Sequence, residues 1–418
     1  MKRNLILVSI FFTIFLDFFN LGLIYPLFTA LVFEGDGGLF ASNASIFYKN
    51  MLFGLLIAAF PFGQFLGAPG IGHLSDQFGR RRLLIYSLMG TVATLFVCAL
   101  GVFFESLVLL FLGRFVGGLM AGNLTIAYAS LADFSAEEDK VKNFALIPLA
   151  MGVGFALGPY LAGILANPST HSLAGPTLPF LAATFLALVN LGLAFWKFPE
   201  THAAQQQGRL LESFSGSFNK LWGAFKQTAL RPYLWILLFM ISSNLLFVQF
   251  VGPLTIERFG FNVTEVGYLY ANVGVSCALG HLFLTRTLAG RFAPEITLKW
   301  SLLALSVLVF LTLLAYHPLM MHALTFLILL ACAVAYTNAM ALVSNRAAQT
   351  QQGEIMGVAV AIQSFAEFFP AAVLGLFAFL SQMLPLFVAA LFAALGYWLL
   401  TSLKKKVIAV HEGVRDLF

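Results

Sequence analysis

The chain is poor in charge. Asp, Glu, Lys and Arg together make up 10% of its 418 residues, against roughly 25% in soluble domains, which excludes a soluble globule. Cysteine is also scarce. Cys98, Cys277 and Cys332 fall inside apolar runs and are not spaced for a metal or a disulfide, so they read as small packing residues. The ~10-residue alternating segments of a membrane barrel are missing. So is the Gly-rich Lys-Ser/Thr loop needed to use ATP, together with any His/Asp cluster or nucleophile constellation that would mark an enzyme or a metal site. The net charge is +5, yet the basic residues form no face that could bind nucleic acid.

What remains is apolar. Hydrophobic residues make up 60% of the chain, in stretches near or above the spanning length of ~20 residues. The expected spans are 5–33, 50–71, 83–104, 106–132, 144–166 and 178–197, then 232–257, 265–288, 296–316, 321–345, 353–380 and 384–403. The first is too long for a signal-peptide core and no cleavage site follows it, so it reads as a retained helix. Twelve spans put both termini on one side. With Lys2 and Arg3 inside, only Lys49 and Arg258 fall outside and Arg114 lies within a span, the positive-inside pattern. The expectation is an all-α polytopic protein of the bacterial inner membrane with both termini cytoplasmic. Its twelve helices would form two pseudo-symmetric six-helix bundles, residues 1–197 and 232–418, the second with a short cytoplasmic tail. The segment 198–231 between them carries Phe214, Phe218, Leu221 and Phe225 at helical spacing and reads as an amphipathic helix on the inner surface.

An ionisable side chain at mid-bilayer costs at least ~2.5–3.5 kcal/mol on insertion scales, so each needs a reason. Asp17, followed by Asn20, reads as a proton-binding carboxylate or a contact for a cation. The plainer alternative is an acid paired with an internal arginine or hydrogen-bonded to a broken helix. Arg114 can pair with an acid, bind an anionic substrate or tune a nearby carboxylate. Glu367 either faces a cavity or is reached by water through a helix break at Pro370. His281 can titrate near neutral pH, although a lone histidine on an apolar helix is more often a packing residue. Gln64, Asn123, Asn190, Asn244, Gln249, Asn272, Asn338 and Gln363 are uncharged polar groups inside spans, explained mostly by hydrogen bonds between helices.

Three local patterns stand out. Residues 72–82, Gly-His-Leu-Ser-Asp-Gln-Phe-Gly-Arg-Arg-Arg, join two spans, with Asp76 four residues before the first arginine and a helix expected from Leu83. An aspartate there can bind the exposed amides or the arginines of the next helix, a charge latch. In span 5, Gly152, Gly154, Gly158, Ala162 and Gly163 allow close helix approach and Pro159 allows a bend. Gly72-His73-Leu74 is echoed by Gly280-His281-Leu282, as a six-plus-six duplication would produce.

Together these residues resemble the major facilitator superfamily, and within it the tetracycline-type drug/proton antiporters. The match rests on Gly72, Asp76, Gly79, Arg80 and Arg81 of the signature loop and on Leu16-Asp17 with Gly22 and Pro26 in span 1. It is supported by Gly154, Gly158, Pro159 and Gly163 of the antiporter motif, and by Phe198-Pro199-Glu200-Thr201. Arg114 is similar to the fourth-helix arginine of these exporters, although Gly117 replaces the usual glutamine. His281 falls where they carry a histidine linked to proton coupling. Thr94 stands where they have an acid, and Glu367 has no counterpart among them. The resemblance implies a monomeric, cofactor-free transporter that is not an enzyme. It would exchange protons for small amphipathic molecules, with Asp17, Asn20, Arg114, Asn123, His281 and Glu367 serving coupling and cargo. The alternatives are a proton-coupled importer of an amino acid or other nutrient, and a non-transporting receptor.

Overall fold

A computed structural model describes residues 2–33, 44–123, 126–127, 130–131, 146–167, 175–200, 223, 225–228, 230–346, 352–378 and 380–415. With no water to satisfy a backbone in lipid, apolar runs of spanning length fold as helices. The first six helices are α1 (Lys2–Phe33), α2 (Ile46–Phe78), α3 (Arg80–Phe103), α4 (Leu107–Leu119), α5 (Leu146–Leu165) and α6 (Thr177–Lys197). The second six are α7 (Arg231–Phe259), α8 (Val263–Ala289), α9 (Pro294–Thr312), α10 (Pro318–Arg346), α11 (Gln352–Phe377) and α12 (Met383–Arg415). Among the described residues nine of these are long and apolar enough to cross a membrane, while α4, α5 and α11 hold shorter apolar helices. The proposed amphipathic helix of the connecting segment lies almost wholly outside the described residues.

The packing of the first six helices recurs six helices later. The pairs α1/α5, α2/α4, α3/α4 and α3/α6 are matched by α7/α11, α8/α10, α9/α10 and α9/α12. Between the halves, α5 packs on α8 and α2 on α11, while α1 meets α7 and α8. Residues Leu23–Val32 of α1 and Leu246–Thr255 of α7 are buried almost without interruption. A helix apolar all round belongs at the centre of a bundle, and these segments form the core where the halves join. That core lies toward the end opposite the α2–α3 turn, here called the far end. The end bearing the turn and its arginines is the basic end.

Three elements depart from the expected spans. The helix expected from Leu83 begins at Arg80, and α2 runs to Phe78, so the loop shrinks to Gly79 at φ 93°. Only glycine adopts that backbone at little cost. The single span expected over 106–132 is interrupted. After Leu119 the chain leaves the helix over Met120–Gly122 and is helical again at Asn123. Ser87 of α3 takes up the freed groups, donating to the Met120 carbonyl and accepting from the Gly122 amide at 3.3 Å. Helix α8 is continuous but passes through a π turn at Gly280–Leu284. Pro26, Pro159, Pro253 and Pro370 all sit inside unbroken helices, so the break expected at Pro370 is absent.

Candidate functional site

Between the halves lies a cavity of about 100 Å³, lined by α1, α2, α3, α4, α6 and α11. It gathers Asp17, Asn20, Gln64, Arg114, Asn123, Gln363 and Glu367. The interruption of α4 places Asn123 so that its Nδ2 donates to Asp17 Oδ1 at 3.1 Å and to Thr91 Oγ1 at 3.2 Å. Discontinuous helices that turn polar groups toward a midplane site are a recurrent transporter device. The amide oxygens of Asn20 and Asn123 are buried without a hydrogen-bond partner.

Arg114 is only 7% exposed and its Nε has no hydrogen-bond partner. Aromatic rings hold the guanidinium, its carbon 4.7 Å from the centre of the Phe60 ring and 5.9 Å from that of Phe28. Such contacts are worth up to about 2 kcal/mol when desolvated. Glu367 is equally buried, at 7% exposure, and lines the same cavity as Arg114. Beside Pro370, whose missing N–H disturbs the local hydrogen-bond ladder, the Glu367 carbonyl accepts from Gln249 Nε2 of α7 at 2.9 Å.

At the far end the halves are sealed. Tyr25 of α1 stacks on Tyr270 of α8 with ring centres 5.3 Å apart. The Tyr270 hydroxyl donates to the Val248 carbonyl at 2.8 Å and accepts from the Gly252 amide at 3.3 Å. Those two groups would otherwise bond each other within α7, so the tyrosine is inserted into its ladder one residue before Pro253. Sequence reading missed Tyr270, because an aromatic on an apolar helix carries no sign of a polar role.

The span-5 glycines divide between two neighbours. A Cβ built on Gly154 or Gly158 would strike the backbone carbonyls of Phe15 or Phe19 in α1. Gly163 faces α8, where a Cβ would lie 3.1 Å from Gly267 Cα. Around it, Asn167 Nδ2 donates to Thr264 Oγ1 at 2.9 Å, and that hydroxyl donates to the Gly163 carbonyl at 2.8 Å.

At the basic end, Gly72 and Asp76 lie in the last turns of α2, and the Asp76 side chain is outside the described residues. The acid seen at the start of α3 is Glu200, whose Oε1 accepts from the Arg80 amide at 2.7 Å and the Arg81 amide at 3.4 Å. Three arginines in a first helical turn oppose the helix dipole, and a carboxylate on the exposed amides offsets that. Arg81 Nη2 also donates to the Phe195 carbonyl of α6 at 2.7 Å. Sequence reading missed the role of Glu200, since nothing local ties it to amides 120 positions earlier. His281 does not line the cavity. Its Nδ1 lies 3.3 Å from Thr337 Oγ1 and its ring meets Tyr336 edge-on, both on α10.

Comparison with known proteins bears on this arrangement. The sequence model described as Major Facilitator Superfamily matches residues 7–371. The class C tetracycline resistance protein of Escherichia coli is 30% identical over 300 residues, covering 71% of this chain and 70% of its own length. The crystal structure of the human organic anion transporter MFSD10 superposes with a TM-score of 0.70 at 22% identity, over 96% of this chain and all of that one. A D-xylose-proton symporter superposes with a TM-score of 0.72 at 16% identity, over 94% of this chain and 97% of that one. At such identities the last two speak to the fold alone.

Proposed function

The chain belongs to the major facilitator superfamily, and from that premise we propose that it is a proton-coupled secondary transporter exporting small amphipathic molecules. The observation that carries this is the cavity holding Asp17, Arg114 and Glu367 between halves joined at the far end. In a low-dielectric site an unneutralised carboxylate is costly, so each acid holds either a proton or a cationic group of the cargo. Competition between the two for Asp17 and Glu367 makes their passage mutually exclusive in one site, which is antiport. Arg114 fixes the local field and Asn123 orients Asp17. At about 100 Å³ the cavity holds roughly three waters at ~30 Å³ each. Cargo of drug size needs ~300 Å³ or more, so loading requires the halves to part. Rocking of residues 1–197 against 232–418, linked by 198–231, exposes the site to each side in turn. The Arg80–Arg81–Glu200 cluster is the natural clasp at the basic end. The tetracycline resistance protein supports export of drug-like molecules. The proton gradient supplies the energy, no cofactor takes part, and the protein works as a monomer with both termini cytoplasmic in a bacterial inner membrane.

The unpartnered Nε of Arg114 favours a second reading, in which the cargo carries an anionic group held there. Inside-out vesicles separate the cases. With an imposed gradient, acidic inside, wild-type protein is expected to accumulate a fluorescent amphipathic amine, and Asp17→Asn, which can hold neither a proton nor a cationic group, to abolish accumulation. Accumulation of an organic anion instead, lost in Arg114→Gln, selects the second reading. Failure to drive either inward while whole cells take up a nutrient would mean import.

A further inference from the structure

Helices α8, α9 and α10 border a second space of about 470 Å³ that shares no lining residue with the cavity. Its rims are large and apolar: Leu288, Phe292, Trp300 and Leu327. Its floor is small, with Ser301, Ala304 and Ala331 set back between them. The floor is what makes a groove, because side chains this short leave the space between α9 and α10 unfilled. Phe292 and Trp300 are 51% and 60% exposed, so the groove opens sideways, toward lipid in a membrane. From Ile296 to Leu308 it follows α9 for roughly 18 Å at 1.5 Å per residue. That length matches one leaflet, about half of the ~30 Å hydrocarbon core, and is too short for a spanning helix.

The end of the groove at the basic end is charged. Arg291 is exposed in the turn between α8 and α9, next to Phe292. Lys299 holds its Nζ 5.7 Å from the centre of the Trp300 ring on the rim and 5.8 Å from that of Tyr397 on α12, so it flanks the groove on the α12 side of that ring. Glu295 is the acid on the same turn, and the exposed Arg286 lies one turn back along α8, so cations outnumber acids there. A one-leaflet apolar slot ending in cations at the membrane edge fits a molecule with an acyl chain and an anionic head. We propose that this groove binds a single anionic phospholipid of the surrounding bilayer, one chain along α9 and the phosphate at Arg291, with the Lys299 ammonium beside it past the Trp300 ring.

The test uses full-length protein in nanodiscs of equal phosphatidylglycerol and phosphatidylcholine, followed by native mass spectrometry after mild delipidation. Wild type is expected to retain one phosphatidylglycerol, and added phosphatidylglycerol to raise Tm more than phosphatidylcholine does. Arg291→Gln and Lys299→Gln each weaken retention by about fivefold, the effect of one cation near an anionic surface. Ala304→Trp fills the floor and abolishes retention. Should that variant fail to fold, phosphatidylglycerol with a photoreactive chain is expected to label the wild-type peptide containing Leu327 and Leu330. Equal retention of the two lipids, labelling elsewhere, displacement of the lipid by transported cargo, or a dimer that occludes α9 would each overturn the proposal.

Discussion

The two seams that join the halves occupy equivalent places, α5 on α8 and α2 on α11, yet they are built differently. In the first, backbone meets backbone. A Cβ on Gly267 would lie 2.8 Å from the Pro159 carbonyl oxygen and 2.9 Å from Gly163 Cα, and one on Gly274 would run into the Ala156 backbone. In the second, among the described residues, glycines bring the backbones together near the far end, at Gly54 and Gly375. Toward the basic end, Phe62, Phe65, Phe365 and Phe368 take over, with Phe62 and Phe368 ring centres 5.2 Å apart and Phe65 and Phe368 5.5 Å apart. Where glycines bring backbones together there are no rotamers to adjust, apart from the Tyr160–Tyr268 ring pair 5.9 Å apart at the edge of that seam, whereas a phenylalanine seam can repack ring by ring. Each seam lies next to one acid of the cavity. Asp17 sits on α1, which packs on α5, and Glu367 sits on α11 itself.

The comparison breaks most visibly if the glycine seam is wedged apart. Gly274→Val places a Cβ and its two methyls against the α5 backbone, and transport in vesicles is expected to fall by at least about tenfold, since close approach is what small residues supply in membranes. Cysteine cross-linking between α5 and α8 at the far end should weaken in parallel. Retention of normal transport and cross-linking would mean that the two seams are equally adaptable.

A smaller effect is expected from Phe368→Ala in the aromatic seam. Full truncation of a buried Phe costs about 3–5 kcal/mol, and partly exposed Phe368 with ring neighbours able to move in should lose less. Thermal denaturation should register a lower Tm while transport falls only severalfold. A loss as complete as that of Gly274→Val would erase the distinction.

The smallest effect concerns the far-end bond from Gln382 Nε2 to Asn50 Oδ1, 2.7 Å long and buried. Hydrogen bonds between membrane helices average about 0.6 kcal/mol. Gln382→Ala and Asn50→Ala are each expected to lower stability by about that amount. The double variant should add little, as a thermodynamic cycle on one shared bond requires.

Much of the fold was legible because lipid leaves a chain few options. Twelve apolar runs mark twelve helices, and the duplication of Gly-His-Leu hinted at the recurrence seen in the packing. The cavity was legible in part, since a charge inside a span is conspicuous wherever it sits: Asp17, Arg114 and Glu367 were all singled out, and the structure brings them together. His281 was singled out by the same logic and lies apart, because position along a helix does not say which neighbour that face meets. The interruption of α4 was hidden because Met120–Gly122 is apolar and small, indistinguishable in hydropathy from a continuous helix.

Sequence alone determined what belongs in the membrane and which side chains are too costly there to be accidental, since both follow from local transfer free energies. Tertiary structure decided what those side chains meet. Glu200 crosses 120 positions to reach the α3 amides, Tyr270 enters the ladder of α7, and one seam is richer in backbone contact while its equivalent is richer in rings. Such pairings are set by which helix faces which at a few ångströms, a non-local quantity that local apolarity does not encode.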